Sequence, residues 1–360
     1  MIAFVLSGGG NRGALQAGAL LALLERGIRP DLIVGTSVGA LNGVALAADP
    51  TLDGARRLAE TWRRVRAADV FPGGPLTIGW RVATGQAGLH SRASFARHIL
   101  STFPPQARTF GDLRVPCVVT ATSLATGQLR LFGDEPGEAL VDAILASTAI
   151  PPFFPPYRYG HEWLVDGAIV ANLPLSEAIA CGAHTIYTLE VVEPPAAAAS
   201  YGLLGTLSSS LTAMLYRQHE QERRAVALAH RRGITIHDIR LTPGQSLPYN
   251  DFGHSADLVA DGERLALEYL RGLPAAPPPG LARLGHTLRG ALRALPPVPA
   301  VAVPPLPPRL TQLGHTLRTL SMPAAVKLAP APALAQIRHT LRDALHALGE
   351  RRAPSAPPPA

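Results

Sequence analysis

Along the first 190 residues, short uninterrupted apolar runs alternate with stretches of helical periodicity. Residues 2–6 read as a buried strand, 14–26 as an apolar helix, 32–34 as a second strand and 38–48 as a helix of small residues. Further on, 115–121, 129–132 and 185–192 read as strands, and 137–145 and 175–181 as helices. Strands apolar on both faces, set between helices, predict a sheet covered on both sides. That is an α/β architecture with much of the sheet parallel. The pattern then turns helical over 203–230, gives one more strand at 234–239 and closes with a helix at 257–271.

At Pro274 the pattern breaks. Eighteen of the 35 prolines fall in the last 87 residues, and a nonamer recurs there, beginning at Leu281, Leu310 and Leu334. In each copy apolar side chains occupy offsets 0, 3 and 7, one stripe of a helix, with His and Arg off it. Proline-rich stretches 296–308 and 323–332 separate the copies and favour extended, semi-rigid chain. Helices this short are marginal alone in water, so the repeats are expected to dock on something. The expected organisation is a domain over 1–273 and a proline-rich, partly helical tail over 274–360.

Charge sharpens the division. The tail carries ten Lys/Arg against two Asp/Glu, whereas residues 1–273 hold 23 against 24. A nearly neutral globular part does not fit a nucleic-acid enzyme with a basic groove. The tail instead offers basic amphipathic segments suited to an anionic membrane surface. Two cysteines, Cys117 and Cys181, exclude a disulfide scaffold and a Cys-rich zinc module. No metal-ligand cluster stands out, and no cofactor is expected. The N-terminus has neither a basic n-region nor a cleavage motif, and the uncharged stretch 194–216 is too diluted by Ser, Thr and Gly to span a bilayer. A cytoplasmic protein, peripheral to the membrane where the tail touches it, is the expectation.

Two glycine motifs carry the chemistry. Gly8-Gly-Gly-Asn-Arg-Gly13 follows a strand and opens a helix. Its backbone N–H groups at a helix N-terminus suit a pyrophosphate or a transient oxyanion equally. A dinucleotide site would want an acidic residue ending the second strand, but Asp31 precedes that strand. What ends it is Gly35-Thr-Ser-Val-Gly39, a G-x-S-x-G in the strand-to-helix setting of a nucleophile elbow, with Ser37 at its apex.

The base is less obvious. Only 36 residues precede Ser37, too few for the early strands of an α/β-hydrolase, and His184, His219, His230, His237 and His254 sit in no recognisable catalytic loop. Asp166, in Trp163-Leu-Val-Asp-Gly-Ala168, ends a short apolar strand before the turn residue Gly167. Read alone, a simple Asp-Gly hairpin turn is the favoured reading of it.

Together the three motifs resemble the patatin-like phospholipase family. Its G-G-G-x-R-G loop matches Gly8–Gly13, its G-x-S-x-G matches Gly35–Gly39 and its D-G-[AG] matches Asp166–Ala168. Thr120–Gly127, Ala146–Pro151 and Asn172–Pro174 are similar too. The likeness runs from about residue 2 to 200, fades to about 270 and leaves out the tail.

The resemblance implies a three-layer fold with a mostly parallel central sheet. It also implies a Ser37–Asp166 dyad without histidine, with the amides of Gly8, Gly9 and Gly10 receiving the oxyanion. Arg12 would brace the loop or meet a phosphate headgroup, beside Gly13. An ordinary carboxylate, pKa about 3.9, is a weak base for a hydroxyl, so the site must supply much of the acceleration. The implied activity is hydrolysis of a lipid ester, phospholipid or lysophospholipid, through an acyl-enzyme. Two readings stand beside it: acyl transfer by the same dyad, and a membrane- or partner-binding protein working through its tail. Headgroup, chain length and oligomeric state are not legible.

Overall fold

Burial by alternation organises the centre of the molecule. In a computed structural model of the chain, the residues described are 1–192 apart from Pro105, isolated positions between 206 and 222, and 233–273 apart from Ser246 and Tyr249. They lie within one compact unit, Met1–Ala276. The tail with its three repeats, nearly all of the 194–216 stretch and of the expected 203–230 helix, and His219 and His230 lie outside the described residues.

Eight strands form one sheet: β1 (Ile2–Leu6), β2 (Leu32–Thr36), β3 (Cys117–Ser123), β4 (Leu129–Phe132), β5 (Tyr157–Tyr159), β6 (Glu162–Asp166), β7 (Thr185–Val191) and β8 (Thr235–Leu241). Their order is β5-β6-β3-β2-β1-β7-β8, with β4 also paired to β3. The run β3-β2-β1-β7-β8 is parallel, while β4, β5 and β6 add an antiparallel margin. Successive side chains of a strand face opposite sides. Accordingly Phe4 and Leu6 enter one hydrophobic cluster, and Ala3 and Val5 the other.

Nine helices are named here: α1 (Gly13–Glu25), α2 (Val38–Ala48), α3 (Leu52–Arg64), α4 (Ala67–Val70), α5 (Pro75–Ala83), α6 (Ala93–Thr102), α7 (Leu140–Ser147), α8 (Leu175–Ala180) and α9 (Ser255–Arg271). The larger cluster packs α1, α2, α3, α7 and α9 against one face of the sheet. On the other face α8 supplies Leu175 and Ala178. α1 is buried from Gly13 to Leu24, as befits a helix apolar all round. Its crossing with α9 brings backbone against backbone, because a Cβ on Gly18 would sit 1.9 Å from Val259 O.

The α/β architecture read from the sequence is the one observed, and α2 has the expected bounds. Two elements are displaced for local reasons. The strand expected at 115–121 starts at Cys117, because Pro116 has no N–H and contributes only its carbonyl, to Ile33 N. The helix expected at 137–145 is α7, starting at Leu140. The Glu138 carboxylate holds the preceding turn, accepting from Gly133 N at 2.8 Å and Arg130 Nη2 at 2.9 Å. Helices α3 to α6 were not expected.

Candidate active site

Sheet register brings the site residues together. Thr36 on β2 pairs with Thr120 on β3, and the next β3 residue, Ala121, pairs with Asp166 on β6. Ser37 and Asp166 therefore leave the sheet beside one another, although 129 residues separate them. The strands β1 and β2 both end here, at the carboxyl edge where open α/β sheets place their ligands.

Ser37 has φ +56°, ψ −124°, the single positive-φ residue other than glycine among the described residues. Such strain persists only where the surroundings over-determine it. Here they do. A Cβ on Gly35 would lie 2.4 Å from Gly39 O, and one on Gly39 would lie 2.5 Å from Leu6 O. The turn is pressed against the end of β1 with no room for side chains. Ser37 N donates to Ser147 Oγ at 2.8 Å, so the last residue of α7 holds the elbow from outside.

The Ser37 hydroxyl donates to Asp166 Oδ2 at 2.7 Å, and Ala168 N donates to Oδ1 at 2.8 Å. Thr122 Oγ1 fixes the Asp166 carbonyl at 3.0 Å. Gly167 begins the 3-10 turn that follows, where Asp166 is also the capping residue. Asp166 is 1% exposed and Ser37 9%. Burial drives the Asp166 carboxyl up to about 7, against the smaller opposing pull of the Ser37 and Ala168 hydrogen bonds.

The glycine loop lies alongside. Gly8 is packed close to Ser37 Cβ, and its N–H donates to Asn172 O at 3.1 Å. Gly8 was expected to help hold an oxyanion, but that amide is committed elsewhere. Gly9 and Gly10 open the 3-10 turn leading into α1, where N–H groups have no acceptor within the helix. Gly10 takes φ +60°. Arg12 is buried, its Nη2 donating to Leu247 O at 2.6 Å. Asn11 Nδ2 donates to the carbonyls of Pro248 and Asp251. Of the two roles considered for Arg12, the contacts match loop bracing. Gly13 opens α1, and its carbonyl accepts from Asn42 Nδ2, which also donates to Gln16 Oε1. Trp62 Nε1 completes this buried network on Asn42 Oδ1.

Ser37 borders a narrow cavity of about 70 Å³, walled chiefly by apolar side chains including Leu41, Val70, Phe71, Phe95 and Phe154. His98 also lines it, its pKa lowered by burial against the pull of Asp69. The described histidines considered from sequence have other partners: His184 the N-terminus, His237 the Tyr187 ring, His254 the Asp251 carboxylate. Sequence reasoning missed Ser147 and the role of the Asn172 carbonyl, although both lie in stretches it had noticed. It also missed His98.

Residues 4–179 match the family model described as patatin-like phospholipase. The mouse patatin-like phospholipase domain-containing protein 6 is 30% identical over 193 residues, 53% of this chain and 13% of that protein. Lysophospholipase NTE1 of Saccharomyces cerevisiae is 29% identical over 205 residues, 53% of this chain and 11% of its own. The chain thus spans a small part of the curated relatives it matches. Among solved structures, VipD from Legionella pneumophila is similar at TM-score 0.42 and 16% identity, over 75% of this chain and 66% of that one.

Proposed function

We propose, from the match of residues 4–179 to the patatin-like phospholipase family model, that the chain is a serine hydrolase of lipid esters, with phospholipid or lysophospholipid as substrate class. The observation that carries this reading is the 2.7 Å contact from a strained, helix-capping Ser37 to a buried Asp166, at the edge of an apolar cavity.

Asp166 takes the hydroxyl proton as Ser37 Oγ attacks the ester carbonyl carbon. Burial makes this carboxylate a much stronger base than an ordinary one, and its pKa of about 7 lies near working pH. The oxyanion is received by the N–H groups of Gly9 and Gly10 at the start of α1. A single such donor is typically worth ~2.7–4 kcal/mol. The protonated Asp166 returns its proton to the leaving alcohol oxygen as the tetrahedral intermediate collapses. Water, deprotonated by Asp166, then attacks the acyl carbon, and as the Ser37 Oγ–acyl bond breaks Asp166 returns the proton to Ser37 Oγ, releasing the fatty acid. The apolar cavity beside Ser37 takes the start of the acyl chain. Residues 1–273 carry this chemistry, with 274–360 as a separate tail.

The experiment is hydrolysis of a phospholipid and a lysophospholipid by wild type, Ser37→Ala and Asp166→Asn. Turnover in wild type alone, with free fatty acid as product, supports the reading. Unchanged turnover in folded Ser37→Ala overturns it. Acyl transfer to added alcohol in place of fatty acid would redirect it to the acceptor.

A further inference from the structure

We infer that α5 and its flanks, residues 72–88, form a docking element that seats the mouth of the Ser37 cavity on an anionic lipid surface. The inference rests on the lipid-ester reading of the same site.

α5 has no buried residue. Leu76 is 91% exposed, Trp80 71% and Val82 54%, the three most exposed large apolar side chains on this helix. Leu76 and Trp80 stand one turn apart on one face, with Gly79 and Ala83 beside them, while Ile78 and Arg81 are more covered. Nine residues are too few for an isolated helix to be stable in water. An exposed helix bearing Leu and Trp is the composition that lies in a bilayer interface, where the indole spans apolar and wet layers.

Charge selects the kind of surface. Between Glu60 and Asp112 the sequence holds seven arginines and a single acidic residue, Asp69. With Glu60 and Asp112 included, and Glu60 paired to Arg63 and Arg64, the stretch 60–112 that contains α5 carries a net +4, in a part of the chain that is nearly neutral taken whole. Arginine near a leaflet is attracted to anionic headgroups, an effect that fades within a Debye length.

Placement links docking to the site. Both ends of the projection stand on the cavity wall. At one end Phe71 lines the cavity and stacks on Phe154, ring centroids 5.4 Å apart. At the other end Leu89 N and His90 N donate to Pro152 O and Phe153 O, next to the lining residues Ile150 and Phe154. Phe71 and His90 themselves meet at 5.0 Å. A lipid whose headgroup lies among these arginines has its acyl ester on the path to Ser37.

The test uses the full chain, so that the basic tail is present throughout. Wild type and the double variant Leu76→Asp, Trp80→Asp are floated with phosphatidylcholine vesicles, with and without phosphatidylglycerol. Trp80 emission is followed separately, with Trp80→Phe as the blank for the other two tryptophans. The inference expects wild type to float with anionic vesicles and the double variant to do so about tenfold less. It expects a blue shift with lipid that is missing in Trp80→Phe, although that variant still floats. Turnover of a water-soluble short-chain ester stays equal in wild type and double variant. Equal flotation of the two proteins overturns the inference, and so does Trp80 emission that ignores lipid. Wild type that self-associates without lipid, while the double variant does not, also overturns it by assigning the face to a second copy. Failure of wild type to cleave the soluble ester is a separate result, counting against the hydrolase reading and not against docking.

Discussion

Ser37 and Phe71 line one cavity, yet the segments that hold them are built by opposite rules. The turn at Gly35–Gly39 is squeezed between the end of β1 and the start of α2, its backbone in contact with other backbone. The projection that begins after Phe71 is almost all exposed, with Leu76, Trp80 and Val82 more than half open to solvent among the described residues. A nucleophile must be held against a base within a few tenths of an ångström, so its support is rigid and its strain is offset by packing. A surface that meets a fluid substrate needs reach and apolar area instead.

The largest effect that separates the two belongs to Gly39→Ala. Its new Cβ would press on Leu6 O and Ser7 O, 2.5 and 2.6 Å away, and neither carbonyl can leave the sheet edge. Denaturant unfolding should show a loss of about 3–5 kcal/mol, or no folded protein at all. A near-neutral result would mean that the elbow is looser than described.

Next comes Asp166→Asn, whose effect depends on pH. The folded pKa, about 7, lies above the ordinary carboxyl value of 3.8. The favourable term is therefore complete below the unfolded pKa and is lost as pH rises through the folded one. Wild type loses roughly 2–4 kcal/mol between pH 4 and pH 7 from this group, and the asparagine variant does not. Thermal melts should show the variant gaining on wild type across that window, with a constant gap above about pH 7. Parallel curves would contradict the buried, high-pKa carboxyl.

Ser147→Ala removes the acceptor of Ser37 N and leaves a buried N–H unmatched, a cost of about 1–3 kcal/mol. Urea melts check the stability, and turnover should fall with it because the elbow loses its outer hold. Smallest is Leu76→Asp with Trp80→Asp. Two exposed side chains leave the folded state within about 0.5 kcal/mol of wild type. A large drop in Tm would show that α5 packs on the fold after all.

What the sequence disclosed follows the same contrast. The elbow and its aspartate are legible because backbone crowding demands particular residues at fixed spacing, and Gly-x-Ser-x-Gly and Asp-Gly are what that demand leaves behind. Ser147 and the Asn172 carbonyl are not legible as partners of the site. They act only because α7 and the 171–173 turn arrive beside β2 in the folded molecule. The pKa of Asp166 belongs to the same class, since an ordinary carboxylate becomes a strong base only through burial between strands and turn. α3 was legible and went unread. Thr51 caps it by accepting from Gly54 N, and Ala55, Leu58, Ala59 and Trp62 line its buried side. For α5, Pro75 after two glycines marks the start of a helix. Periodicity says which residues share its face, but not whether anything covers them.

The central claim is that burial against Asp166 makes Ser37 a nucleophile at neutral pH. A fluorophosphonate probe, with the labelled peptide mapped by mass spectrometry across pH 5 to 9, tests it most directly. The account predicts a single adduct on Ser37 whose rate of formation rises with pH and levels off above about 7, where Asp166 has lost its proton. The adduct should be missing in Ser37→Ala and slow in Asp166→Asn. Labelling at another residue, or at Ser37 with equal rates in wild type and Asp166→Asn, would contradict it.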